Sequence, residues 1–168
     1  AFDALSNNFN WGLSGPNGDI VAPHNQSETS NAFELSAGTY TLAVRGYNGQ
    51  AGSYAFRMLT DASAHTLAVN TPISGTLDQP TGSTIYKVAL TQGQKLYLGS
   101  QSPTGGTVYW RLLDAYGNPV QSSYLGSGTA PFTVASTGTY WLMLDGYIYN
   151  SPTAAIGYNF QLNQVPDL

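Results

Sequence analysis

The sequence has no cysteine, which excludes a disulfide framework, a thiolate zinc site and a cysteine nucleophile together. Charge is almost as scarce: Asp, Glu, Lys and Arg make up 8% of the chain, against roughly 25% in an average soluble protein. The five basic residues are scattered and the net charge is −4. Attraction to nucleic acid needs clustered Lys and Arg, so that class of partner is set aside. Apolar residues never run to the roughly 18 that a membrane span needs, and residues 1–20 lack the charged-then-apolar order of a signal sequence. No membrane insertion is expected. Helical periodicity is missing too.

What the chain has is alternation. Phe9, Trp11 and Leu13, then Tyr40, Leu42 and Val44, then Tyr86, Val88 and Leu90, then Val108, Trp110 and Leu112 each place apolar side chains two residues apart. Period two puts them on one face of a strand, and Gly, Pro, Asn and Ser break the pattern at short intervals. Many short strands with Gly-rich turns predict an all-β chain, an antiparallel β-sandwich of jelly-roll type. Trp11 and Trp110 fall on inward phases beside Leu13 and Leu112 and are read as core.

One decapeptide appears twice. Gly38-Thr39-Tyr40-Thr41-Leu42-Ala43-Val44-Arg45-Gly46-Tyr47 returns 100 positions later as Gly138-Thr139-Tyr140-Trp141-Leu142-Met143-Leu144-Asp145-Gly146-Tyr147. Upstream, Trp11 and Trp110, Gly18 and Gly117, and Phe33 and Phe132 keep a spacing of 99; downstream, Tyr54-Ala55-Phe56 and Tyr158-Asn159-Phe160 stand 104 apart. Solenoid and propeller repeats have periods of roughly 20 to 50 residues, so this longer spacing predicts two tandem domains. Residues 1–60 form the first, 61–70 a short connector and 71–165 the second. Residues 71–95 have no counterpart in the first copy. That copy is expected to be N-terminally truncated or completed by another segment.

The residues also carry a family resemblance. Gly75-Thr76-Leu77, then Tyr86-Lys87-Val88-Ala89-Leu90-Thr91-Gln92-Gly93-Gln94-Lys95-Leu96, then Gly138-Thr139-Tyr140 and Tyr158-Asn159-Phe160, together resemble a bacterial pre-peptidase C-terminal domain. The resemblance spans residues 71–165 fully and residues 1–58 as the later part of a second copy. It implies β-sandwiches appended to secreted peptidases or strung in tandem in surface proteins, with no catalysis by the module. A related collagen-binding module responds to calcium. The family's Asp-x-Asp pair ahead of the second-strand Tyr is absent here, where Gly82-Ser83-Thr84-Ile85 stands instead.

Candidate sites follow from residue type and phase. His24 and His65 are the two imidazoles, and neither sits in a nucleophile motif. The nine acids are well separated, and no convergent catalytic pattern emerges, so an enzyme is not expected. Asp114 and Asn118 offer oxygens for calcium, the one cofactor considered, although turn chemistry accounts for both. Asn25-Gln26-Ser27 is a glycosylation triplet. Trp141 and Met143 occupy the outward phases held by Thr41 and Ala43 in the first copy, and Tyr97 and Tyr109 are also outward. An exposed apolar patch of these four would mark a ligand or subunit contact if their strands share a sheet. The alternative places Trp141 under a loop or against the neighbouring domain.

These readings point to a non-catalytic, secreted or cell-surface β-sandwich tandem. Such a tandem would belong to an adhesin or filament-forming assembly, polymerising by β-strand complementation. Its partners would be other copies of itself or neighbouring domains. The rival is an accessory module of a secreted hydrolase that binds polysaccharide or collagen through the aromatic patch.

Overall fold

The computed structural model describes residues 2–4, 9–25, 35–78, 82–147 and 154–166, without the side chains of 2–4, 24 and 25. The first part of the chain forms β1 (Phe2–Ala4), β2 (Phe9–Gly15), β3 (Gly18–Asn25), β4 (Thr41–Gly46), β5 (Phe56–Met58) and β6 (His65–Thr66). The second part forms β7 (Ile73–Leu77), β8 (Ser83–Leu90), β9 (Lys95–Ser100) and β10 (Val108–Leu113), followed by β11 (Pro119–Tyr124), β12 (Phe132–Thr133), β13 (Gly138–Gly146) and β14 (Ile156–Gln164). The predicted all-β, antiparallel class is the class observed: among the described residues only the short β6–β8 pairing is parallel.

Residues from 65 onward build a β-sandwich. One sheet has the order β11-β10-β13-β8-β6, the other β12-β9-β14-β7. Their facing sides share one core, in which Val88, Leu90, Trp110, Leu112, Leu142 and Leu144 meet Leu77, Leu96, Leu98, Ile156, Phe160 and Leu162. Each fully buried Leu or Ile contributes about 1.5–3 kcal/mol over its exposed state. Burying this much apolar surface is what holds two twisted sheets face to face.

Tyr86 and Tyr158 cross the core from opposite sheets, their hydroxyls 2.7 Å apart. Burial, then this hydrogen bond, then the charge that a partner phenolate would place beside it all push the Tyr86 hydroxyl above its ordinary value. Tyr158 also lies over Gly75, its cross-strand partner, where an added Cβ would come within 2.5 Å of the phenol oxygen. Glycine leaves the space that the ring fills. Residues 61–70, expected as a connector, add β6 to the five-stranded sheet and Leu67 to the sandwich core.

Residues 2–58 are arranged differently. Their described strands form a three-stranded sheet of order β3-β2-β4 and a two-stranded pair β1-β5. Phe9, Trp11 and Leu13 are buried, with Val21, Tyr40, Leu42, Val44 and Phe56 packed around them. Tyr54 closes on Phe9 at 5.9 Å between ring centroids. Both tryptophans read as core are buried, each 1% exposed.

Candidate functional site

The echoed decapeptide forms β4 in one place and β13 in the other, and its tyrosine makes the same bond twice. The Tyr40 hydroxyl donates to the Ser36 carbonyl at 2.7 Å, and the Tyr140 hydroxyl donates to the Ser136 carbonyl at 2.9 Å. A tyrosine tied back to backbone four residues upstream pins the corner by which the chain enters the strand. The signal was in the sequence, as a serine four positions before each tyrosine.

The strands beside the echoes also correspond. Trp11 faces Val44 and Leu13 faces Leu42 across β2–β4; Trp110 faces Leu144 and Leu112 faces Leu142 across β10–β13. Order β3-β2-β4 matches order β11-β10-β13. In the remaining pair, Phe2 faces Met58 and Ala4 faces Phe56, as Leu98 faces Leu162 and Ser100 faces Phe160 across β9–β14.

Beyond β13 the larger sheet continues into β8, with eight register pairs from Gly138 opposite Leu90 to Asp145 opposite Ser83. Beyond β4, among the described residues, no strand follows. An edge strand leaves every second backbone N–H and C=O without a ladder partner. Thr41, Ala43 and Arg45 are exposed along this edge strand, and Leu42 and Val44 are covered only in part.

The four outward aromatic and sulfur side chains do not form one surface. Tyr97 is on β9 and so belongs to the four-stranded sheet, where it is 37% exposed, whereas Tyr109, Trp141 and Met143 belong to the five-stranded sheet. The outward faces of two sandwiched sheets look in opposite directions.

Three rows organise the outer face of the five-stranded sheet: Tyr109, Asp145 and Ser83; Arg111, Met143 and Ile85; Leu113, Trp141 and Lys87. This face is covered. Met143 is 1% exposed and makes a second small core with Ile85 and Leu113, against which Leu59, Ala64 and Trp141 pack. The cover is the segment that leaves β5. Arg57 donates to the Ser83 carbonyl, and the Lys87 ammonium stands 3.4 Å from Asp61. Trp141 is half-buried there, against the chain from the preceding unit.

Within that face lies an ion pair. Arg111 donates to Asp145 Oδ2 through Nε at 3.2 Å and Nη2 at 2.9 Å, and both side chains are buried. Removing one partner of such a pair costs about 3–5 kcal/mol, because the other charge stays buried. The corresponding positions in the first unit hold Gly12 and Arg45.

Sequence reasoning missed a chain of tyrosines. Tyr109 packs edge-to-face on Tyr124 at 5.1 Å, and Tyr124 on Tyr147 at 6.4 Å; the Tyr109 hydroxyl donates to Ser122 Oγ at 2.8 Å. Tyr124 and Tyr147 are exposed. Pairing of Tyr109 with Tyr124 depends on a register shift between Leu112 and Leu113, which residue phase alone does not reveal.

Asp114 and Asn118 are close, in the turn joining β10 to β11. Asp114 Oδ1 accepts the N–H groups of Tyr116 and Asn118, both at 2.9 Å, and Oδ2 accepts Asn118 Nδ2 at 3.1 Å. Slight desolvation works to raise this carboxyl, but the bonds from Asn118 and Tyr116 outweigh it and hold it below its ordinary value. Both carboxylate oxygens already serve the turn. Among the described residues, no three His, Cys, Asp or Glu side chains converge as a metal site would require. The Asn25 side chain and the rest of its triplet lie outside the described residues. No helix among the described residues is long and apolar enough to cross a membrane.

No family model and no curated protein matches the chain. Two solved structures are similar in part. A periplasmic inhibitor of g-type lysozyme, PliG of Aeromonas hydrophila, matches with a TM-score of 0.49 and 9% identity over 61% of this chain and 98% of its own. The pre-peptidase C-terminal domain of a collagenase from Bacillus anthracis matches with a TM-score of 0.44 and 19% identity, over 59% of this chain and 93% of its own.

Proposed function

We propose that this chain is a non-catalytic structural part of a larger secreted or cell-surface protein. In this reading residues 1–60 are an incomplete copy of the sandwich formed by the rest. Its work is cohesion: it carries load and contact between neighbouring sandwiches and is completed by strand addition. The observation that carries the reading is the correspondence of β3-β2-β4 with β11-β10-β13 in order and register, with no strand in the place of β8 beside β4 among the described residues. The motif resemblance to pre-peptidase C-terminal domains supports a place outside the cytoplasm. Close packing of residues 57–64 on the outer face of the five-stranded sheet supports a stiff pair of units.

Trp141→Ala tests it. A structural contact predicts lower thermal stability and looser coupling of the units in small-angle scattering, with no polysaccharide or collagen retention before or after the change. Retention by the unmodified chain that disappears in a folded Trp141→Ala variant would favour an accessory binding module. The Tyr109, Tyr124 and Tyr147 cluster favours that second reading, because its outer rings are exposed. Loss of retention in Tyr124→Ala would support it.

A further inference from the structure

We infer that a cleft between the two units receives an arginine side chain of a separate partner protein, its guanidinium held by tyrosine rings and the Asp19 carboxylate. The cleft has a volume of about 410 Å³ and is lined by Asn17, Asp19, Ile20, Leu35 and Tyr40 of the first unit and by Tyr116 of the second. Sites for small ligands run from about 300 to 1,000 Å³. The cleft does not use the β4 edge, so this contact and the strand addition proposed above can fail separately.

The charge in the cleft sets the sign of its guest. At the spacing of 99, Gly15 answers to Asp114, Asn17 to Tyr116 and Asp19 to Asn118. In the second unit Asn118 bonds to Asp114 and closes its own turn. In the first unit Gly15 offers Asp19 no side chain to bond, and the Asp19 side chain is exposed. Among the described residues the ion pairs join Lys87 to Asp61 and Arg111 to Asp145, and Asp19 enters neither. Asp19 is also the one charged residue among those described in the lining. A cationic guest is therefore favoured over an anionic one.

The rest of the lining fits the flat head and apolar stem of arginine. Ile20, Leu35 and Tyr116 are large, exposed side chains that converge on this one cleft, Tyr116 being 75% exposed. Tyr40 is already fixed: its ring lies where a Cβ on Gly15 would come within 2.6 Å of it, and its hydroxyl donates to the Ser36 carbonyl. A fixed ring loses less freedom when a guest arrives. A guanidinium stacks on tyrosine, bonds a carboxylate through two N–H groups and lays its methylenes along apolar side chains. The chain has few arginines to offer another copy of itself. They are Arg45, Arg57 and Arg111, and the last two are engaged within the molecule. The guest accordingly comes from a different protein.

The test titrates the isotope-labelled 168-residue chain with acetyl-Gly-Arg-Gly-amide and, separately, with acetyl-Gly-Gln-Gly-amide, reading backbone amide shifts by NMR. The arginine peptide should give saturable shifts at residues 15–20, 35–40 and 114–118, and the glutamine peptide none. Asp19→Asn and Tyr116→Ala, both at exposed positions, should each weaken binding by about two- to fivefold. Tyr97→Ala, on the four-stranded sheet, should leave it unchanged. If a variant misfolds, the contrast between the two peptides on the unmodified chain still decides. No shifts, or equal shifts with both peptides, overturn the inference. Shifts at these residues with maltose and not with the arginine peptide overturn it in favour of a saccharide site. Concentration-dependent shifts there without any peptide, absent in Arg45→Ala, overturn the separate partner in favour of a second copy.

Discussion

The echoed segments that form β4 and β13 share a tyrosine, a leucine and a closing glycine at the same spacing, and each tyrosine ties to a serine carbonyl four residues back. Their fates differ. Leu142 and Leu144 are fully buried, whereas Leu42 and Val44 are half-covered. Position 143 carries Met inside a small core, and position 43 carries an exposed Ala. Position 145 carries an Asp paired in the interior, and position 45 an exposed Arg. The local pattern makes the strand and its corner; the neighbours decide how much that strand stabilises. β13 lies between β10 and β8 under a second sheet, whereas β4 has β2 on one side only among the described residues.

Matched substitutions break this comparison most sharply where burial differs most. Asp145→Ala should destabilise the second sandwich by about 3–5 kcal/mol, since it deletes one member of a buried ion pair with Arg111, whereas Arg45→Ala should fall within about 0.5 kcal/mol of neutral. Urea unfolding of the two variants measures both. Leu142→Ala should cost about 2–5 kcal/mol, as deletions in closed cores do, and Leu42→Ala less than half of that, because its side is already open to water. Equal losses at positions 42 and 142 would mean that β4 is covered.

Smaller effects sharpen the same contrast. Tyr140→Phe and Tyr40→Phe each delete one corner hydrogen bond, about 1 kcal/mol. The loss should be larger at Tyr140, where the Ser136 carbonyl is left in a drier place. Thermal melts of the pair suffice. The smallest effect is at Asp114. Its carboxyl is held below the ordinary value by the turn's donors, so the stability it contributes is complete above about pH 3.9 and fades as pH falls through its lower native value. Asp114→Ala should therefore flatten the acid limb of the stability curve slightly, as a pH series of melts would record.

Much of this fold was legible in the residues because period two reports which side of a strand faces the core. Trp11, Trp110, Val88 and Leu112 needed nothing more. Phase does not report whether the other side is covered. Met143 reads as outward, and Leu59 and Ala64 of the chain leaving β5 pack over it. Nor does phase report which sheet a strand joins: β9 and β10 are neighbours in sequence but sit in opposite sheets, which separates Tyr97 from Tyr109. The Tyr124 contact needed the register shift at Leu113, a property of two strands together. Asp114 and Asn118 were legible as a turn, and both carboxylate oxygens are engaged there.

Among the described residues the first unit has the sandwich's strand pattern without a strand in the place of β8. The most direct test is native-state amide exchange of the unmodified chain, comparing residues 41–46 with residues 138–146 at a concentration where light scattering gives a monomer. The β13 amides should exchange only through global unfolding, while outward β4 amides should exchange orders of magnitude faster. Equal protection of the two strands in the monomer would contradict it.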